Sequence, residues 1–106
     1  MRRRVVFSRR ALDDLRDIAR WIAAQASARI AERYIRRLRS YCEGFDVFSE
    51  RGTRRDDLRP GIRTIGYERR VTVAFAVFEE EVLILRLFYG GRDIEAAFAA
   101  GHDGVD

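Results

Sequence analysis

The sequence contains no lysine; all 21 of its basic residues are arginine. Such wholesale use of arginine reads as genomic base composition more than as a binding signature, so the net charge of +4 bears on partners rather than on fold. The guanidinium fork nonetheless suits carboxylates and phosphates, which makes an acidic protein or a nucleic acid a natural partner. There is one cysteine, Cys42, so no disulfide can form within the chain and nothing argues for an oxidising compartment. The one histidine, His102, sits in a Gly/Asp stretch, which leaves proton-transfer chemistry short of its usual carrier. No apolar run approaches the roughly 20 residues that span a bilayer. The arginine-rich start is followed by neither an apolar signal core nor a small-residue cleavage site. A cytoplasmic protein without membrane association is expected. No cluster of His, Cys, Asp and Glu has metal-ligand spacing, and no strand-glycine-helix unit is built for phosphates, so neither metal nor cofactor is implied.

What is present suits one domain. Hydrophobic residues make up 47% and charged residues 36%, the balance of a globular chain. A single domain over residues 1–100 is expected, with 101–106 as a flexible tail. Val5-Val6-Phe7 is short, apolar and β-prone, a first strand. Ser8 then reads as an N-cap, because Leu12, Leu15, Ile18, Ala19 and Ile22 recur at helical spacing behind it. The helix should end near Ala26. Ser27 caps a second one, whose stripe of Ala31, Tyr34, Ile35, Leu38, Tyr41, Cys42 and Phe45 turns Arg29, Arg33, Arg36, Arg37 and Arg39 outward. So short a connection implies an antiparallel hairpin.

Residues 49–57 form a polar connector that cannot contribute to a core. Pro60-Gly61 signals a turn, and Ile62 to Tyr67 can run extended behind it. Val71, Val73, Phe75 and Val77 then alternate with Thr72, Ala74, Ala76 and Phe78, the period of a strand. Glu79 to Glu81 make the reversal. In the next run, strict alternation puts Leu83, Leu85, Leu87 and Tyr89 on one face and Val82, Ile84, Arg86 and Phe88 on the other. Gly90-Gly91 ends it, and Ile94, Ala97 and Phe98 suggest a short helix. The sum is an α+β fold: a small antiparallel sheet packed against an N-terminal helical hairpin, ordered β-α-α-β-β-β with a short C-terminal helix.

Four stretches in this order resemble the ParE branch of the RelE/ParE toxin superfamily. They are Ala11-Leu12-Asp13-Asp14-Leu15-Arg16-Asp17-Ile18, Gly52 to Arg63 with its Pro60-Gly61-Ile62-Arg63, Arg69-Arg70-Val71, and Ile84 to Asp93 with its Gly90-Gly91-Arg92-Asp93. The resemblance spans residues 3 to about 98 and implies the same fold, a helical hairpin on one face of a small sheet. It also implies the toxin of a type II toxin–antitoxin system, neutralised by a cognate ParD-like antitoxin whose acidic, apolar C-terminal segment wraps around it. ParE-like members poison DNA gyrase and trap its cleaved DNA; RelE-like members cut mRNA on the ribosome. DNA contact would belong to the antitoxin, on its own operator.

The residues help to choose between these mechanisms. Attack by a 2′-hydroxyl needs a proton acceptor, cations at the phosphate and a proton donor to the leaving oxygen. Of the three positions that RelE-like nucleases use, only Arg92 has a clear match. Thr72 or a neighbour falls where an arginine is expected, and Phe98 holds a tyrosine's place without its hydroxyl. No catalytic residue is therefore assigned; gyrase poisoning is the leading reading and mRNA cleavage the alternative. Candidate target contacts are Arg63, Arg86, Tyr89 and Arg92; candidate antitoxin contacts are Trp21, Tyr34, Arg63 and Arg86. Trp21 and Tyr34 lie beside helical stripes, where aromatics serve either as core or as interface anchors. Arg86 lies inside an apolar strand and is expected on the sheet face that the helices leave open, meeting an acidic group of a partner or an internal carboxylate such as Asp93. A third reading, a small basic domain that binds nucleic acid directly, ranks below both. The arginines are scattered over both helices and the loop, with Asp13, Asp14, Asp17, Asp56 and Asp57 among them.

Overall fold

Two serines set the helical half. Ser8 and Ser27 have extended backbone, and their Oγ atoms accept hydrogen bonds from the amides of Ala11 at 3.0 Å and Ile30 at 3.1 Å. Each satisfies a first-turn N–H that the helix itself cannot. The computed structural model describes residues 2–90 and 93–99. In it β1 (Arg4–Phe7) leads through Ser8 into α1 (Arg9–Gln25), and α2 (Ala28–Glu43) returns antiparallel before a 3-10 turn at Gly44–Asp46. β2 (Thr53–Arg54), β3 (Ile62–Tyr67), β4 (Val71–Val77), β5 (Glu81–Tyr89) and α3 (Ile94–Ala99) complete the chain. No helix among the described residues is long and apolar enough to cross a membrane.

The strands form one five-stranded sheet in the order β1-β5-β4-β3-β2, antiparallel except that β1 joins β5 in parallel. β2 arises inside the polar connector, where alternation gave no sign of a strand. Gly52 makes that pairing possible: its φ of +75° suits glycine, and a Cβ there would collide with the carbonyl oxygen of Thr64. Strict alternation in β5 also fails. Ala74 pairs with Arg86 and Phe75 with Ile84, so Leu85 is an extra residue in a β-bulge. The bulge changes the phase, and Val82 and Ile84 share the helix-facing side with Leu87 and Tyr89, while Leu83, Leu85 and Phe88 face the other way.

The main core lies between the hairpin and the sheet, where Leu15, Ile18, Leu38, Phe45, Val73, Phe75 and Ile84 pack. The five outward arginines expected on α2 are exposed, as its stripe requires. The opposite sheet face, expected to be left open, carries a second cluster of Ile62, Ala74, Leu85, Phe88 and Phe98, with Leu58 and Ile94 packed against it. α3 thus lies on that face through Phe98, whose ring centroid is 6.3 Å from that of Phe88. The expected tail at 101–106, with His102, lies outside the described residues.

Burial in the main core weakens two acids. It pushes the Cys42 thiol from its ordinary 9.0 up to about 12, with the Glu43 charge adding to the effect. It pushes the Tyr34 hydroxyl from 10.0 to about 12, helped by Glu68. Above pH 9 the unfolded chain releases protons that the folded chain keeps, so stability is highest below that pH and falls as pH rises toward about 12. Urea midpoints measured across this range should decline, and Cys42→Ala should flatten the first part of the decline, below pH 10, whatever it does to absolute stability. An unchanged slope in that variant would remove Cys42 as the source.

Candidate functional site

β1 ends at Phe7, which aligns with Ile84, so beyond that point β5 has an edge without a strand. The start of α1 takes over the backbone groups there. The Ser8 amide donates to the Ile84 carbonyl at 2.9 Å, and the Ser8 hydroxyl donates to the Leu85 carbonyl at 2.8 Å. Six residues on, Asp14 Oδ2 accepts the Leu87 amide at 2.8 Å. The same carboxylate receives Arg86 through Nε to Oδ2 at 2.9 Å and Nη2 to Oδ1 at 3.2 Å, a two-point pair. Both partners are buried, at 7% and 8% exposure, which only a fully hydrogen-bonded charge pair tolerates. The Arg86 guanidinium also lies 4.9 Å from the Phe88 ring centroid.

Arg86 was expected on an open sheet face, with a partner's acid or Asp93 as its counter-charge. It is buried instead, and the internal carboxylate it meets is Asp14, 72 residues away. Beside this pair opens a pocket of about 240 Å³ lined by Asp14, Asp17, Ile18, Trp21, Leu87, Tyr89 and Gly90. That is smaller than the usual small-molecule site and suits a single inserted side chain. Its rim is aromatic: the Trp21 ring, half exposed, lies 4.8 Å from Tyr89. Tyr34 is buried behind them, edge-on to Tyr89 at 6.5 Å and to Tyr67 at 6.0 Å. Gly90, at φ +71°, turns the chain away, and its amide donates to the Arg70 carbonyl at 2.8 Å.

Trp21, Tyr34 and Tyr89 are therefore brought together, and Arg86 supports them through Asp14. Arg63 is elsewhere, on β3 opposite Phe75, with Nη1 donating to the Arg51 carbonyl at 3.2 Å. Arg92 lies outside the described residues. Sequence reasoning missed Asp14, and one signal was available. Asp14 falls within the buried stripe of Ala11, Leu15, Ile18 and Ile22, where an unpaired acid would be costly and so announces a buried partner.

The described residues fold as a small α+β protein, a helical hairpin on one face of a five-stranded sheet with a short helix on the other. The family model described as the ParE toxin of type II toxin-antitoxin system, parDE, matches residues 5–94. Toxin ParE3 of Caulobacter vibrioides is 29% identical over 93 residues, spanning 88% of this chain and 92% of that protein. A chain of the chromosomal ParDE TA system from P. aeruginosa shares the fold, with a TM-score of 0.72 at 23% identity over 82% of this chain and 95% of that one. The chain belongs to the ParE toxin family of type II toxin–antitoxin systems.

Removing one member of a buried pair strands the other, at about 3–5 kcal/mol. Asp14→Ala should lower unfolding free energy by about that much, and Arg86→Met by less, since it leaves Asp14 bound to the Leu87 amide. The double variant should cost less than the sum, retaining about 1–3 kcal/mol for the orphaned amide. A double-mutant cycle by urea unfolding measures this, and a coupling near zero would mean the pair does not hold the site.

Proposed function

We propose that this toxin inhibits DNA gyrase by trapping its cleaved DNA complex, and that a ParD-like antitoxin neutralises it by laying the apolar side chains of its acidic, apolar segment across Trp21 and Tyr89. The observation that carries the reading is the half-exposed Trp21 tilted against Tyr89 at the mouth of a pocket sized for a side chain. Aromatic rings held rigid at a surface are what binding energy concentrates on. The proton inventory supports binding over catalysis. Burial drives Cys42, Tyr34 and Tyr41 away from neutrality, where they neither gain nor lose a proton at cellular pH. Tyr34 acts here by backing Tyr89, and Arg86 by fixing Asp14 at the pocket wall. Arg63, partly exposed on β3, and Arg92 supply separate charge contacts to target or antitoxin. The buried free thiol fits a cytoplasmic setting, where gyrase acts.

Antitoxin-free toxin incubated with gyrase, supercoiled plasmid and ATP should give gyrase-dependent linear DNA while ribosome-bound mRNA stays intact. Codon-positioned mRNA cuts without DNA cleavage would replace this reading with the RelE-like one. The antitoxin surface has its own test: Trp21→Ala should weaken binding of the cognate antitoxin about 30-fold, the loss typical of a central aromatic anchor of about 2 kcal/mol. Unchanged affinity by calorimetry would move the antitoxin off this pocket.

A further inference from the structure

The arginines that look scattered in the sequence gather unevenly in the fold. Along the exposed face of α2 run Arg29, Arg33, Arg36 and Arg37, and beside it the β3–β4 turn brings Arg69 and Arg70. The acids among them are Glu32 and Glu68. Six of the 21 basic and two of the 17 acidic residues thus lie here, so the rest of the sequence, with 15 of each, carries no net charge. On this face Glu32 and Glu68 pair with Arg36 and Arg37, which leaves a surplus of four arginines, whereas on α1 Arg16 and Arg20 are matched one for one by Asp13 and Asp17. The whole formal charge of +4 is the surplus of one face.

Three features make this face more than a solvated surface. Arg33, Arg37 and Arg70 line one cleft, and Arg36 with Ser40 continues it along α2. Tyr34 lines the same cleft, and its buried hydroxyl has no hydrogen-bond partner among the described residues. The turn is also strained. The Arg70 amide closes it onto the Tyr67 carbonyl at 3.0 Å, and its central residues Glu68 and Arg69 take φ of 51° and 59°. Asn-Gly would relieve that conformation, which costs a side-chain-bearing residue about 1 kcal/mol or more. Local stability is set aside where Glu68, Arg69 and Arg70 reach α2.

We infer that the α2 face, with the β3–β4 turn, binds the phosphate backbone of duplex DNA directly. Guanidinium groups one turn apart along a straight helix are about 6 Å apart, and each can fork onto a phosphate. No exposed aromatic interrupts the row, so there is no stacking platform for single-stranded bases. The Trp21–Tyr89 pocket, with Asp14 and Asp17 in its wall, takes apolar side chains, whereas this face offers charge in a row along one helix. The contact carries no sequence information, because phosphates position and bases specify. It gives the toxin its own hold on DNA, where the sequence assigned DNA contact to an antitoxin, and it does not rest on gyrase as the target.

The test is fluorescence anisotropy of the purified toxin with a labelled random-sequence DNA duplex, without gyrase. About four neutralised phosphates predict an affinity loss on the order of a hundredfold between 50 and 200 mM salt. Arg33→Ala/Arg36→Ala/Arg37→Ala should weaken binding at least about tenfold and flatten the salt slope by about three. The corresponding lysine triple should keep most of the affinity, which guards against a folding defect. Arg9→Ala/Arg16→Ala/Arg20→Ala removes as much charge from α1 and should stay within about twofold of wild type. Equal losses in the two alanine triples would reduce the effect to net charge and overturn the inference. So would tighter binding of a poly-glutamate peptide of matched charge, which marks a protein surface, or of an A-form RNA duplex.

Discussion

Where β1 stops, the central strand still has backbone to satisfy, and the carboxylate of Asp14 satisfies it. The Leu87 amide and the Arg86 guanidinium converge on that one group, so the register of α1 against β5 is held by three hydrogen bonds. Apolar packing alone is non-directional and would let a helix slide on a sheet. A buried carboxylate does not, because any shift strands a charge. Ser8 works to the same end six residues earlier, ending the strand pairing and starting the helix with one hydroxyl. The position of Trp21 follows from this anchorage: it lies seven residues beyond Asp14, two turns along the same helix, which carries its ring to Tyr89. The bulge at Leu85 belongs to the same constraint, since it shifts β5 so that Leu87 and Tyr89 face the hairpin.

Much of this was legible because it is local. A serine cap is encoded within three residues, and a helix stripe within eight, so both helices and their limits follow from neighbours in sequence. The alternation of β4 is equally local, with Val71, Val73, Phe75 and Val77 on the hairpin side and Ala74 and Ala76 on the other. What escaped depends on partners far apart. Arg86 and Asp14 are separated by 72 residues, and nothing near either one names the other. The bulge in β5 is a feature of pairing rather than of propensity, so strict alternation placed Val82 and Ile84 on the wrong side of the sheet. The parallel docking of β1 and the two-residue β2 are likewise decided by the sheet. Phe98, weighed against a catalytic tyrosine, is a core residue of the second face.

On the proposed reading the candidate site is one of binding, and binding leaves a different trace in sequence from catalysis. Catalysis demands residue types that can carry protons or charge at short range, and their spacing often survives as a motif. Binding demands area and complementary charge, which ordinary residues supply once the fold gathers them. The informative signs are then residues out of their usual place. Trp21 is half exposed although its type is mostly buried, Asp14 is buried although its type is mostly exposed, and the arginine surplus lies on one face although the sequence disperses it. Each is intelligible only in three dimensions, and each marks a surface.

The two surfaces call for different partners. The Trp21–Tyr89 pocket offers a small volume with an aromatic rim and the acids Asp14 and Asp17 in its wall, a combination that suits an inserted apolar side chain and repels phosphate. The α2 face offers surplus positive charge and attracts what the pocket repels. A protein proposed to hold a cleaved DNA complex has use for both, an apolar grip on a protein and a salt-sensitive grip on its DNA. Because the surfaces lie on different parts of the hairpin, a segment that covers the pocket need not neutralise the charge. If both proposals hold, neutralisation of toxicity and contact with DNA are separable, because a toxin covered at the pocket still carries a cationic face, with Tyr34 as the residue the two surfaces share.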